Sequence, residues 1–529
     1  MAQVLLFACL IVVAVAQSEL RRDPTEKCER EVDVVIVGAG VTGAYSAYRL
    51  RNTSQSIEIV ERSDRIGGRH YTAVFPEAPN IPVELGVMMY SAEVHDRMAK
   101  LVEELDLTQE EYPEAFGVPN EKMYLMRGQH LKEEDIKSGA QIPYNLTPEE
   151  KQNQGRFVKY ILEKLTGHKE DTLPREDRMK LKVKVTGAEE KELYKYTLEE
   201  ALDKVTSPDG KAFFYALAKF DSPHYKDASA ILAFGNEFDY FSGNISLHKI
   251  KEGMDALPKE MISKFLEASE KHNITMNRDV DSIQRVNNTR YLLRLKKTKS
   301  EDGLVSETGL DEFICARKVI LAIPKDALLK VQWPELKAKP IVDALNALRS
   351  VPMSKVVMTF AKRHWQENEA TKATVKFTDS LVGKVYELGK SNTSDSYVLL
   401  ASYAEGEKVR VFEECNQKGL PIAGSEPGEL RVTEDMKADV LAELKNVFWG
   451  EWKAPMKSAA KFWTQHPFRG GSTVWRAGFH FSEIIERIQH PSQDDDVYIV
   501  TRDIADGNKQ LWTEGGLESV ERIMKRHFF

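Results

Sequence analysis

The stretch VDVVIVGAGVTGAYSAYRL, Val32 to Leu50, decides the fold, together with IEIVE at Ile57 to Glu61. Val32 to Val37 is short, apolar and rich in β-branched side chains, the pattern of a strand buried on both faces of a parallel sheet. Gly38, Gly40 and Gly43 follow in G-x-G-x-x-G spacing, and the alanines after them allow a close-packed helix. A second apolar strand ends on an acid, Glu61. Together these make the start of a dinucleotide-binding βαβ unit. The glycines let backbone approach a diphosphate, the helix N-terminus offers unpaired N–H groups, and Glu61 accepts from ribose hydroxyls.

The run after Glu61, RSDRIGGRHYT, points to the kind of nucleotide. Gly67 and Gly68 bring the chain close to it, and Arg69 is placed to pair with its phosphates. A nicotinamide dehydrogenase has no reason to carry a second glycine–arginine segment here. The pattern resembles the flavin-containing amine oxidase superfamily, which includes monoamine, polyamine and L-amino acid oxidases. Further segments resemble it too: GMDALP from Gly253, NRDVDSI around Val280, VILAIP from Val319, PMSKVVMTFAKRHW around Lys355, and WTEGGLESV from Trp512. The matches CEREVDVV, PYNLTPEEKQNQ, EEALDKVTSPDGK, CARKVILAIP and TVWRAGFH narrow the resemblance to secreted molluscan antibacterial glycoproteins of the L-amino acid oxidase type.

The resemblance implies FAD, held noncovalently because no cysteine lies in the C-terminal region where monoamine oxidases make a thioether link. It assigns Gly38, Gly40, Gly43, Glu61, Arg62, Gly68 and Arg69 to the nucleotide, and the Val280 backbone to adenine. Gly86, Met88 and Met89 in VELGVMMY, Asp503, Trp512 and Thr513 fall to the flavin and its ribityl chain. Lys355 is the catalytic candidate, ten residues before Trp365, where the family carries a lysine that holds a water at flavin N5. Three departures accompany these assignments. Met89 stands where L-amino acid oxidases carry an arginine that forks onto the substrate carboxylate, a loss worth about 3 kcal/mol in a desolvated site. In VTRD, no glycine precedes Asp503; Thr501 and Arg502 add bulk where backbone passes closely in the family. The two glycines of WTEGGL leave freedom at the start of the last helix.

The expected fold is α/β: a discontinuous FAD-binding Rossmann-like domain with a parallel sheet, interleaved with an α+β substrate domain. The expected segments are a signal peptide at 1–16, FAD-binding segments at 30–100, 236–330 and 461–529, and substrate-domain segments at 101–235 and 331–460. With 529 residues the chain is too long for one ordinary core. A net charge of -8 gives no basic surface for nucleic acid. QVLLFACLIVVAVA, residues 3–16, has the length of a signal-peptide apolar core, and no later segment reaches the about 20 apolar residues of a membrane span. Sequons at Asn52, Asn145, Asn244, Asn273, Asn287 and Asn392 suit a secreted, extracellular glycoprotein.

Loss of the signal removes Cys9 and leaves Cys28, Cys315 and Cys415, so at most one intramolecular disulfide forms. Cys315, just before an apolar strand, reads as a buried inert thiol. No C-x-x-C, H-E-x-x-H or G-x-S-x-G occurs, and no metal site is expected. Trp463 and Trp475 read as core residues, and the lysine and glutamate run KLKVKVTGAEEKEL as a solvated surface. The activity implied by the resemblance is oxidation of an amine or L-amino acid by O2 with release of hydrogen peroxide; a homodimer is left open. Two alternatives stand beside it: an amine oxidase for a substrate without a carboxylate, and a glycoprotein that keeps the fold without turnover.

Overall fold

A computed structural model describes residues 28–529 apart from 113–121, 169–178, 185–190, 219–222, 232–245, 288 and 466. The expected signal segment and Asn244 lie outside the described residues. The strand Arg30–Val37 runs into the helix Val41–Leu50 and then the strand Ile57–Val60. The two strands pair in parallel, Val34 beside Ile57 and Val37 beside Val60. His272–Thr275 extends this parallel sheet on one side, and the end of Leu304–Leu321 followed by Val497–Ile499 extends it on the other.

Period-two alternation along these strands feeds two cores. Val34, Ile36 and Ile320 pack with Tyr45, Leu257, Phe265, Leu517 and Met524, so the helices Val41–Leu50, Ala256–Ala268 and Thr513–His527 cover one face. Val35, Val37, Leu321 and Ile499 point into the larger core between this half and the rest of the molecule. The last helix ends one residue before Phe528, which still packs against its cluster. Arg290–Glu301 and Leu304–Leu321 form a long hairpin closed by Asp302 and Gly303, both with positive φ (48° and 78°), the Asp-Gly pairing that a two-residue turn favours.

A second sheet of seven strands is mixed, mostly antiparallel. Met353–Phe360 lies between Lys457–Phe462 and Tyr397–Glu405, and Lys384–Lys390 follows on the far side of Tyr397–Glu405. Val375–Thr378 and Lys122–Met126 continue it. One face packs on the helices Glu407–Asn416 and Glu434–Phe448 through Val356, Met358, Phe412, Val440 and Leu444. The other face, which carries Lys355, turns toward the glycine-rich half. Short helices at Pro148–Gln152 and Leu198–Leu202 begin with capping boxes, Thr147 with Glu150 and Thr197 with Glu200.

Cys315 is no free thiol: it forms a disulfide with Cys28, across 287 residues of sequence and with Cα atoms 5.6 Å apart. The sequence expectation failed because parallel pairing places Arg30 beside Ile314, which brings Cys28 within reach of Cys315. Cys415 remains free. Replacing Cys28 by Ser and Cys315 by Ala should cost about 3 kcal/mol of stability. Urea unfolding with and without reductant checks this: wild type under reductant should match the double variant, which itself should not respond. The five described sequon asparagines, Asn52, Asn145, Asn273, Asn287 and Asn392, are all exposed. No described helix is long and apolar enough to cross a membrane.

Candidate active site

The turn after Arg30–Val37 is built on contacts that only glycine permits. Gly38 has φ +100°, and a Cβ on Gly43 would stand 1.8 Å from the Gly38 carbonyl oxygen. A Cβ on Gly68 would lie 3.2 Å from the Cα of Gly40, and Gly67 N–H donates to the Ala39 carbonyl at 2.9 Å, so the two glycine runs lie backbone against backbone. Gly40 caps the following helix without a side chain, leaving that helix end open to an anion.

Beside this turn opens a cavity of about 1270 Å³. Gly38, Gly40, Glu61, Arg62, Gly68, Arg69 and Val280 line it, and Gly43 supports it from behind. Glu61 is already engaged, accepting from Ala39 N–H (2.7 Å) and from the amide and hydroxyl of Ser63 (2.9 and 2.8 Å). A carboxylate offers about four lone-pair sites, so acceptor capacity remains. Arg62 is fixed by Asp279 at 3.0 Å, next to Val280.

Arg69 pairs with Asp503 (2.6 Å), which joins two segments separated by most of the chain. Asp503 also accepts from Lys325 N–H at 2.9 Å. Burial opposes its charge, but Arg69, Arg502 and that amide outweigh burial and hold the carboxyl below its usual range. Arg502, the residue that adds bulk before Asp503, lines the cavity. It donates to the Gly471 carbonyl, while its buried Nε has no partner among the described residues. Burial, then repulsion from Arg69, lowers its pKa to about 9. A buried guanidinium beside a second arginine, facing a cavity, suits an anion such as a diphosphate.

Lys355 is 3% exposed and donates to the Glu84 carbonyl (2.9 Å) and the Gly86 carbonyl (2.6 Å). Gly86 has no room for a side chain, since a Cβ would sit 1.9 Å from the Arg69 carbonyl oxygen. Trp463 holds the same segment by donating to the Leu85 carbonyl at 2.9 Å, so this tryptophan does more than fill the core; Trp475 is fully buried core. The Glu84 carboxylate accepts from Met254 N–H (2.8 Å) and the Thr72 hydroxyl (2.9 Å). Burial raises Glu84 to about 8 and lowers Lys355 to about 7, their mutual attraction opposing both shifts.

Met88 is buried in the large core and Met89 packs against it; neither lines the cavity. Trp512 lies against His95, with ring centroids 4.8 Å apart and planes tilted by 46°, and the Thr513 hydroxyl meets His70 Nε2 at 3.0 Å. Gly515 and Gly516 do not loosen the last helix. A Cβ on Gly515 would meet the Lys509 carbonyl oxygen at 2.4 Å, and one on Gly516 would meet Thr42 at 2.9 Å, so these glycines allow close packing. The group of three or more metal-ligating side chains that a metal site needs is absent among the described residues.

Sequence reasoning passed over His70, which lines the cavity directly after Arg69. Burial, then the charges of Arg502, Arg69 and Arg65, lowers it to about 3, so it is neutral when folded. An unfolded histidine titrates near 6.5, so the unfolded chain binds the extra proton and stability falls as pH drops from about 6.5 toward 3, by at most about 1.4 kcal/mol per unit for this group. His70→Gln should flatten that acid limb by about one proton in urea unfolding followed against pH.

Comparisons with known proteins agree with this arrangement. Residues 41–419 match the family described as flavin containing amine oxidoreductase. Achacin of Lissachatina fulica is 36% identical over 529 residues, covering 99% of this chain and 98% of achacin. Aplysianin-A of Aplysia kurodai is 35% identical over 95% of this chain and 91% of its own length. An L-amino-acid oxidase of Sistrurus catenatus edwardsii is 24% identical over 78% of each. Among solved structures, a putrescine oxidase variant shares the fold with a TM-score of 0.65 at 18% identity, covering 94% of this chain and 98% of that one. With its glycine cradle, its Arg69–Asp503 pair and this near full-length likeness, the chain belongs to the flavin containing amine oxidoreductase family.

Proposed function

We propose that this protein is a secreted FAD-dependent L-amino acid oxidase with an antibacterial, peroxide-generating role. The likeness to achacin and aplysianin-A supports it along nearly the whole chain. The observation that carries the chemistry is the placing of buried Lys355 against the Glu84–Gly86 backbone, which in turn packs on the glycine–arginine wall of the cavity. In the overall reaction an L-amino acid gives two electrons and two protons to O2, forming hydrogen peroxide; water then hydrolyses the resulting imine to a keto acid and ammonia.

The residues present fit FAD. Gly38, Gly40 and the open helix end would hold its diphosphate with the unpartnered Nε of Arg502 as a buried positive donor, Glu61 would accept from a ribose, and Val280, on the cavity wall, would meet adenine. Bound there, FAD supplies the two-electron oxidant. The chain's own residues do the rest. Arg69, held by Asp503, keeps fixed charge on the cavity wall. Lys355, held by the Glu84 and Gly86 carbonyls, is the buried amine that would hold or pass a proton beside the bound flavin, and Trp463 fixes the segment that carries those carbonyls. Gly86, Met88, Met89, Trp512 and Thr513 belong to the supporting side of the flavin in this proposal.

Met89 favours one rival, oxidation of an amine that lacks a carboxylate. Peroxide release is the test, measured with a panel of L-amino acids and of simple amines. Release with L-amino acids supports the proposal; release with amines alone transfers the assignment to the rival, and a protein that releases none with either set sinks both.

A further inference from the structure

A row of four side chains crosses the second sheet on one face, one from each of four neighbouring strands. Lys461 pairs with Lys355, Lys355 with Tyr403, and Tyr403 with Lys384. Directly opposed residues in antiparallel strands share a face, so Lys384 stands two strands, about 10 Å, from Lys355. The Tyr403 ring lies between them, its centroid 5.0 Å from Lys355 Nζ and 4.7 Å from Lys384 Nζ. Lys461 lines the large cavity at one end of the row. At the other end Lys384 and Tyr403 line a separate recess of about 130 Å³, room for about four waters, with Glu405, Tyr124, Tyr144 and Phe377 as further wall. Lys355 is thus flanked by the cofactor-sized cavity on one side and a small aromatic recess on the other.

Lys384 is three strands away from Lys461 and, like Arg69 and Lys461, is paired with a carboxylate, but of these three cations it alone borders the small recess. Arg69 is held by Asp503, and Lys461 is bonded to Glu429. Lys384 donates to Glu405 at 2.6 Å, and its side chain is 18% exposed. An ammonium has three donors, so one carboxylate acceptor leaves capacity for a second. Burial opposes its charge, but Glu405 and the neighbouring tyrosines outweigh burial, and the group stays protonated. The arginine expected at position 89 is absent and Arg476 is exposed, with its backbone N–H bonded to the Ala347 carbonyl, so neither supplies a buried carboxylate anchor.

We propose that Lys384 is the specificity-determining residue that binds the substrate α-carboxylate, with the substrate side chain lying among Tyr124, Tyr144 and Phe377. The inference rests on the amino acid oxidase proposal and deepens it: the carboxylate-binding cation comes from the second sheet instead of the VELGVMMY segment. Glu405 then acts as a competing carboxylate that holds Lys384 in place until substrate arrives.

The test compares each L-amino acid that wild type oxidises with the amine lacking only its carboxyl group, for example L-phenylalanine against phenethylamine. In Lys384→Met the amino acid-to-amine ratio of kcat/KM should fall about 30-fold, with the loss in KM for the amino acid. Lys384→Arg should restore most of the ratio. Glu405→Gln, which removes the competitor and keeps the cation, should lower the amino acid KM several-fold. A structural pair would instead make the Lys384→Met and Glu405→Gln variants lose activity alike on both substrates, and that result overturns the assignment. So does an unchanged ratio in Lys384→Met while wild type oxidises amino acids, an outcome that leaves the oxidase proposal standing. Wild type without amino acid oxidation overturns the oxidase proposal itself, and this assignment with it.

Discussion

Gly43→Ala should yield a protein that no longer retains FAD and that melts well below wild type. The added Cβ would stand 1.8 Å from the carbonyl oxygen of Gly38 and 3.3 Å from the Ala322 side chain. Backbone on one side and a buried strand end on the other leave no flexible group to yield, so the helix Val41–Leu50 must move off the sheet. Overpacking of this kind costs typically about 1–3 kcal/mol, and more where backbone is the obstacle. The same movement withdraws the open helix end from the diphosphate. Flavin absorbance after gel filtration and a thermal melt check the two effects. Gly309→Ala is the control: its Cβ would meet nothing within 4 Å, so only the local strain of its positive φ applies and flavin should be kept.

Lys355→Met should reduce peroxide formation by about a hundredfold or more while the protein keeps its flavin, the range expected when a positioned proton-transfer group is lost. Methionine fills a similar volume without the ammonium. The variant leaves the Glu84 and Gly86 carbonyls without their donor, and Glu84 loses the charge that opposed its rise, so Glu84 should stay protonated to higher pH. Stopped-flow measurement of the two half-reactions locates the defect. A loss confined to oxygen consumption would assign Lys355 to the oxidative half, and a loss in substrate oxidation would assign it to the reductive half. Full activity in Lys355→Met would remove it from the mechanism.

What could be read from the chain beforehand follows local pattern. The strand before Gly38, the helix after it and Glu61 are set by residues within one βαβ unit, and the glycine spacing has few alternative explanations. The last helix follows a local pattern too, with Leu517, Val520 and Met524 at helical spacing and buried on one side. The disulfide was not, because the closeness of Cys28 and Cys315 is created by pairing the first strand with one nearly three hundred residues later. The row from Lys461 to Lys384 was hidden for the same reason: its members come from four strands whose register is a long-range property, and two of the strand pairs carry bulges that shift the alternation. His70 and Arg502 stand beside residues already singled out, yet nothing local says that both would be buried together. Their neighbourhood depends on the Arg69–Asp503 pair, which joins the second and last parts of the chain.

The glycines of WTEGGL show how a correct composition can suggest the wrong physics. Read locally, two glycines mean freedom; in place, each lets one element lie against another where a methyl group would clash. Met88 and Met89 likewise carry no chemistry by themselves, one buried in the core and the other packed on it. Their importance lies in what they displace, a cation that must then be found elsewhere.

Anaerobic mixing of the purified protein with an L-amino acid, followed by its visible absorbance, shows whether a bound flavin takes electrons from the amino acid. The protein should be yellow as isolated, and its flavin band should bleach on mixing and return when oxygen is admitted, with one peroxide formed per cycle. A colourless protein that takes up no FAD, or a yellow one whose band stays unchanged with every L-amino acid offered, would contradict the oxidase proposal.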